Sequence, residues 1–390
     1  MDRNLYLKQL EELVNIDSGS YNAAGINRVA DRLEAWYREL GWNVESVFVG
    51  EETGRVLVVT NHLADHYDVM YVGHMDTVFP DGTAEARPFR TDEENYYGPG
   101  VGDMKNGDVA MVHIAANLPK DVCGRLNIVM VHNPDEEIGS VYSRKVLDAI
   151  AAKSDYIFVM ESSGHDGVRH CFARKGSLCY DLEFFGKAAH AGFMFEREHA
   201  SAVLEMGHYI VTLMGLASRE EDTTVNVGVA GGGTARNVVA DYAKLSVEMR
   251  FKKLSEYDRL KKKVHEIVNG EPFVPGVKTV IAKEREMAPL VKTEKTLAYM
   301  KRMMTVAENL EIPFEEKDRG GLSDANHLAM ASDAVVVDGM GPHGAMDHSD
   351  KEYGCVSSVE PCVRLHVGLL EELAVKKALL QPSVEADTIY

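Results

Sequence analysis

Four short runs of continuous apolar residues do most to limit what this chain can fold into: "DVMYVG" before His74, "LNIVMVH" before "NPDEEIG", "DYIFVM" before Glu161, and "DAVVVDG" at 333–339. Strict alternation would mark strands with one wet face. Continuous apolar runs mark strands covered on both faces, as in a parallel sheet flanked by helices. The runs also stop abruptly, the second against Asp135, Glu136 and Glu137 in a row. Functional sites in such sheets form beyond the carboxyl ends of the strands, so a strand that ends on acids delivers them to the site.

The stretches between the runs read as helices, "SVYSRKVLDAIAAK" among them, giving the strand and helix alternation of an α/β fold with a mainly parallel sheet. Val29, Leu33, Trp36, Tyr37 and Leu40 recur at helical spacing and stop at Gly41, which predicts an outer helix. From 177 the pattern changes. "SLCYDLEFFG", "TTVNVGVAG", "YAKLSVEMRF" and "KTVIAKERE" alternate, and helical stretches at 199–216 and 255–268 complete a ferredoxin-like β-α-β-β-α-β order. A chain of 390 residues suits two domains. The expected division is an outer domain of 1–176 and 287–390, interrupted by an inserted domain of 177–286.

Composition excludes several classes. A formal charge of −19 repels phosphate backbones, and the basic stretch "KKLSEYDRLKKK" has the interleaving of a solvated helix face, so nucleic acid is not an expected partner. With 45% hydrophobic residues and no apolar run long enough to span a bilayer, no membrane partner is expected either. The five cysteines show no C-x-x-C spacing and include an odd member, which suits reduced thiols. The acidic, amphipathic start does not read as a signal peptide, and the expected location is the cytoplasm.

The strand ends carry "GHMDT" with His74 and Asp76, the acids Glu136 and Glu137, and "MESSG" with Glu161. Loops add Asp103 in "GPGVGDMKNG" and both His343 and His348 in "GMGPHGAMDHSDKEYG". Any one of these alone reads as a solvated loop residue. Their coincidence at strand ends points instead to metal ligation. A carboxylate-rich set with few imidazoles suits two divalent ions sharing a bridging carboxylate, with one further carboxylate left to handle a proton. "GPGVGDMKNG" lacks the G-x-x-x-x-G-K-[ST] order of a phosphate-binding loop.

In these motifs the chain resembles the M20 family of co-catalytic zinc peptidases and amidohydrolases, nearest the glutamate carboxypeptidase (carboxypeptidase G2-like) branch, over nearly its whole length. The resemblance implies His74 and Glu161 on the first metal, Glu137 and His348 on the second, and Asp103 bridging them. Asp76 would orient His74, and Glu136 would be the general base. His343 is the alternative ligand in its loop, but the family's "HSD" pattern matches His348. Zinc is the implied metal, two ions per chain, with cobalt or manganese as alternatives.

On the substrate side, "GKAAHAG" resembles the family segment whose histidine reaches the partner subunit's site, which makes His190 a candidate oxyanion stabiliser; an exposed loop histidine is the alternative. "ARNVVADYAKLSVEMRF" is similar to the stretch that holds the substrate's carboxylate, implying Asn237 and Arg250 as contacts, with a structural ion pair as the rival for Arg250. Lys175 in "ARKGS" and Gly320 and Gly321 in "GGLSDANHLA" match positions near the pocket. The implied activity is hydrolysis of the amide bond next to a C-terminal amino acid with a free carboxylate, on a small peptide or N-acyl amino acid, by a homodimer joined through the inserted domain. The rivals are an N-acyl-amino-acid deacylase or dipeptidase of the same family and, more remotely, a non-catalytic binding homologue.

Overall fold

The computed structural model describes residues 1–164 and 169–380; residues 165–168 and 381–390, which fall in the expected outer domain, lie outside it. The chain divides into two compact units, one of Met1–Phe172, Lys292–Asp318 and Ser323–Tyr390, the other of Ala173–Val291 and Arg319–Leu322.

The first unit is built on a six-stranded sheet in the order Asn43–Val47, Val56–Thr60, Ile128–Asn133, Tyr67–His74, Ser154–Val159, Val335–Val337. The last four are mutually parallel and are the four continuous apolar runs. Their interior residues are buried on both faces, Ile128–Asn133 along its whole length, and each fully buried aliphatic side chain stabilises by about 1.5–3 kcal/mol. Two further strands extend one side: Val56–Thr60 pairs antiparallel with Ile128–Asn133, and Asn43–Val47 antiparallel with Val56–Thr60. Asn43–Val47 is largely exposed and so carries little apolar signal.

Strand register positions the site. His74 stands opposite Asn133, and Val72 lies between Val131 and Val159. The three central strands therefore finish along one edge, where His74, the Pro134–Glu137 turn and Glu161 emerge. The helix expected around Val29 spans Ala23–Glu39, capped by Asn22 and followed by Gly41 at φ +80°. Leu40 is its cap rather than part of the buried stripe. The helix after the acids covers Arg144–Ala151 alone, because Ser140 and Ser143 are tied back to Asn133.

The second unit follows the order Gly176–Phe185, Ala202–Met214, Thr224–Gly232, Tyr242–Phe251, Leu254–Val268, Lys278–Met287. Its antiparallel sheet runs Thr224–Gly232, Tyr242–Phe251, Gly176–Phe185, Lys278–Met287, the ferredoxin-like arrangement. One sheet face packs on Met206, Tyr209, Leu213, Leu260 and Val264 from the two helices. Residues 319–322 join this unit through Arg319 N to Ala173 O (3.0 Å) and Lys175 N to Arg319 O (3.2 Å). Among the described residues no helix is long and apolar enough to cross a membrane.

Candidate metal centre

His74 is the last residue of its strand and is buried. Its Nδ1 lies 3.1 Å from the Asp76 carbonyl oxygen and 3.3 Å from Asp76 Oδ1, which fixes the ring and turns Nε2 toward Asp103 Oδ1 (3.0 Å) and Glu161 Oε1 (3.5 Å). Burial works against a charged His74, but hydrogen bonds to Asp103, Asp76 and Glu161 outweigh it and hold its pKa well above the usual imidazole range.

The acids after the Ile128–Asn133 strand form a short 3-10 turn, Glu136–Ile138, closed by Gly139 at φ +88°. Asp76 grips this turn from below. Its Oδ1 accepts from Glu136 N (3.1 Å), its Oδ2 from Glu137 N (3.2 Å) and Ser20 Oγ (2.7 Å). Behind the turn, Asn133 Nδ2 donates to Asp324 Oδ2 (2.6 Å), Ser140 also donates to Asp324, and His327 links Asp324 (3.0 Å) to Asp148 (2.6 Å). With the backbone held, the adjacent glutamates diverge. His74, Glu136 and Glu161 form one group, and His74, Asp103 and Glu137 another, each with ligand atoms within 4.8 Å of one another.

Asp103 joins the two histidines, Oδ1 on His74 and Oδ2 on His348 Nε2, both at 3.0 Å. His348 Nε2 also lies 3.2 Å from Glu137 Oε2, whereas Glu137 Oε1 is buried with no hydrogen-bond partner. His343 belongs to neither group; its backbone N–H donates to Ser358 Oγ (2.9 Å).

The charges crowded here explain the pKa pattern. Burial pushes Glu161 up to about 7 and raises Glu136 and Glu137, with neighbouring carboxylates adding to it. Burial opposes the charge on Asp103 too, but His348 and His74 hold it below the carboxylate range, and bonds to Asp103 and Glu137 lift His348 to about 11. An orphaned buried carboxylate oxygen, one carboxylate shared between two imidazoles, and acids raised by their surroundings together form an O/N donor set that fits a pair of divalent cations.

Residues 70–372 match peptidase family M20/M25/M40. The chain belongs to this family. It is a metal-dependent hydrolase, as the resemblance implies. Carboxypeptidase G2 of Pseudomonas sp. (strain RS-16) is 27% identical over 380 residues, covering 95% of this chain and 90% of its own. Succinyl-diaminopimelate desuccinylase of Coxiella burnetii is 25% identical over 390 residues, covering 94% and 99%. The crystal structure of a tripeptidase from Staphylococcus aureus matches with a TM-score of 0.77 at 22% identity, covering 96% of this chain and 99% of that one, a likeness of fold.

In this M20 hydrolase the remaining expected site residues lie in the second unit. Arg250 pairs with Glu248 (Nε–Oε1 2.7 Å), which is the structural alternative, yet its Nη1 is buried with no hydrogen-bond partner. Lys175 Nζ donates to Asp222 Oδ1 (2.8 Å). His190 and Asn237 sit on paired, exposed loops: Ala191 N donates to Asn237 O (2.9 Å), and His190 Nδ1 accepts from Gly192 N (3.1 Å). The Gly321 carbonyl accepts from Arg174 Nη1 (3.0 Å).

Cavity size does not single out the site. The larger cavity, about 920 Å³, lies among Asp68, Ser154, Tyr156 and Val335 at the starts of the strands, away from every candidate ligand. A smaller one, about 490 Å³, opens beside Glu137 among Tyr21, Thr77, Phe79 and Ile138. Ser20, Asn133, Asp324 and Glu352 carry no sequence signal of their supporting contacts, although "SDANHLA" and "HSDKEYG" display the two acids. Nothing local marks either acid as support for a turn far away in sequence.

Proposed function

We propose that this M20 hydrolase cleaves the amide bond next to a C-terminal amino acid whose carboxylate is free, in a small peptide or N-acyl amino acid. The observation that carries this reading is the Asp103 carboxylate divided between His74 and His348, with Glu136 beside them taking no hydrogen bond from any described side chain. His74 and Glu161 would hold one divalent ion, Glu137 and His348 the second, and Asp103 both, with zinc as the proposed metal.

Such ions would supply positive charge to polarise a carbonyl and to acidify a water. Glu136 accepts the proton of the attacking water on its carboxylate and returns it to the leaving amine nitrogen. Asp76 keeps His74 turned and keeps Glu136 and Glu137 apart.

The unpartnered Arg250 Nη1 supports an anionic group as its missing partner, which we take to be the substrate's terminal carboxylate, assisted by Asn237. Lys175 and Gly321 are read as lesser contacts. His190 is read as an oxyanion donor offered to the partner's site in a homodimer formed through the second unit, whose Thr224–Gly232 and Lys278–Met287 strands are sheet edges. Five free cysteines support a reducing, cytoplasmic setting. The likeness to a desuccinylase favours a second reading, an N-acyl-amino-acid deacylase on the same centre.

The test compares free-acid and C-terminally amidated substrates. Amidation is expected to lower kcat/KM by about tenfold or more, because it offers the buried Arg250 Nη1 a neutral amide in place of a carboxylate. Arg250→Ala should flatten that difference. Equal cleavage of both substrates by the wild type would replace this reading with a general amidase or aminopeptidase on the same centre.

A further inference from the structure

Glu352 lies four residues beyond His348 and is 2% exposed. Its carboxylate accepts three backbone hydrogen bonds from one loop: Oε1 from Gly102 N (2.7 Å) and Asp103 N (3.0 Å), Oε2 from Gly100 N (3.0 Å). The loop is shaped for this. Gly100 has φ +75°, and a Cβ at Gly102 would stand 3.0 Å from Asp347 Oδ1 and 3.4 Å from Glu352 Oε1. Backbone N–H groups converging on one anion form a concave nest, and here the anion is a side chain of the protein itself.

The other end of the same side chain is equally well anchored. Tyr353–Cys355 pairs antiparallel with Asn95–Tyr97 and with Gly344–Ala345, so the hairpin that carries His348 is fixed on both sides of the histidine. Beyond Asp103, the Lys105 backbone N–H donates to Gly100 O (2.9 Å), and its buried ammonium donates to Leu13 O (3.1 Å) and Ile16 O (2.8 Å). Asp103 thus stands between two clamps, and Glu352 is the one that ties it to the segment bearing its histidine partner.

We propose that Glu352 is a positioning residue for the metal pair: by holding the Gly100–Asp103 backbone it sets the Asp103 carboxylate with one oxygen toward each histidine. This rests on the reading of Asp103 as the shared ligand. A loop support with no bearing on the metals would lower the stability of the metal-free protein and leave metal affinity alone.

The experiment is a zinc competition titration against a chelator on the full chain, for wild type, Glu352→Gln, Glu352→Asp and Asp103→Asn, alongside melting and amide exchange of the metal-free proteins. Glu352→Gln keeps the volume but offers one acceptor oxygen and turns an NH2 toward an N–H group. It is expected to fold, to weaken at least one zinc site tenfold or more, and to speed exchange at Gly100, Gly102 and Asp103. Glu352→Asp, which withdraws the charge by one methylene, should fall between it and wild type. If Asp103→Asn loses zinc while Glu352→Gln binds two ions within twofold of wild type, the proposal is overturned and the Asp103 reading stands. If Asp103→Asn also keeps both ions, both readings fall. Should Glu352→Gln fail to fold, Glu352→Asp decides by the same titration, wild-type affinity overturning the proposal.

Discussion

Asp76→Asn perturbs the two halves of the metal centre at once. Asp76 is fully buried, and its carboxylate receives the N–H groups of Glu136 and Glu137 and the Ser20 hydroxyl while facing His74 Nδ1. Asparagine keeps one oxygen and turns an NH2 toward one of those N–H groups, and a buried N–H left without an acceptor costs about 1–3 kcal/mol. Losing the charged partner of a ligating histidine should weaken metal binding about 10–100-fold, or about 1.4–2.7 kcal/mol at about 1.36 kcal/mol per tenfold. One effect opposes these. The negative charge of Asp76 helps to raise Glu137 and Asp135, so removing it relieves repulsion in the metal-free protein. The variant should therefore lose more stability when zinc-loaded than when zinc-free. Denaturant unfolding with chelator and with excess zinc, plus a zinc competition titration, measures both. Ser20→Ala, which removes a single hydroxyl donor, should cost about 0.5–1.5 kcal/mol and serves as the reference. If Asp76→Asn binds zinc within twofold of wild type and loses no more stability loaded than unloaded, the grip of Asp76 on the Glu136–Glu137 turn does not matter to the metals.

Glu136→Gln should leave both metals bound while turnover falls roughly 10²–10⁴-fold, since it removes a proton acceptor beside the ligands; near-normal turnover would mean that another group is the base. Elemental analysis of metal-loaded, desalted protein should find two divalent ions per chain, because His74 lies beside Glu161, His348 beside Glu137, and Asp103 between the two histidines. A single tight ion per chain would reduce the centre to one site.

The sequence shows the sheet plainly because a strand covered on both faces is filled mainly by apolar side chains, so Met70, Tyr71 and Val72 or Val129, Met130 and Val131 run without interruption. It shows the candidate site residues for a related reason. His74, Glu136, Glu137 and Glu161 are polar residues set directly after such runs, where a core has no use for them. Asn43–Val47 escapes notice because it is an exposed edge strand, and the membership of residues 319–322 in the second unit rests on pairing with Ala173 and Lys175.

What only the tertiary structure decides is how the ligands are held. Asp76 meets the Glu136 backbone across 60 residues, and Glu352 meets Asp103 across 249. Local pattern reports whether a residue's surroundings are apolar and at what period, a property of its near neighbours. A hydrogen bond between distant turns depends on strand order and register, which bring His74 level with Asn133 and set the Glu136–Glu137 turn above Asp76. The candidate ligands stand out in the sequence because they follow apolar runs, and their geometry comes from contacts that exist only once the sheet has closed around them.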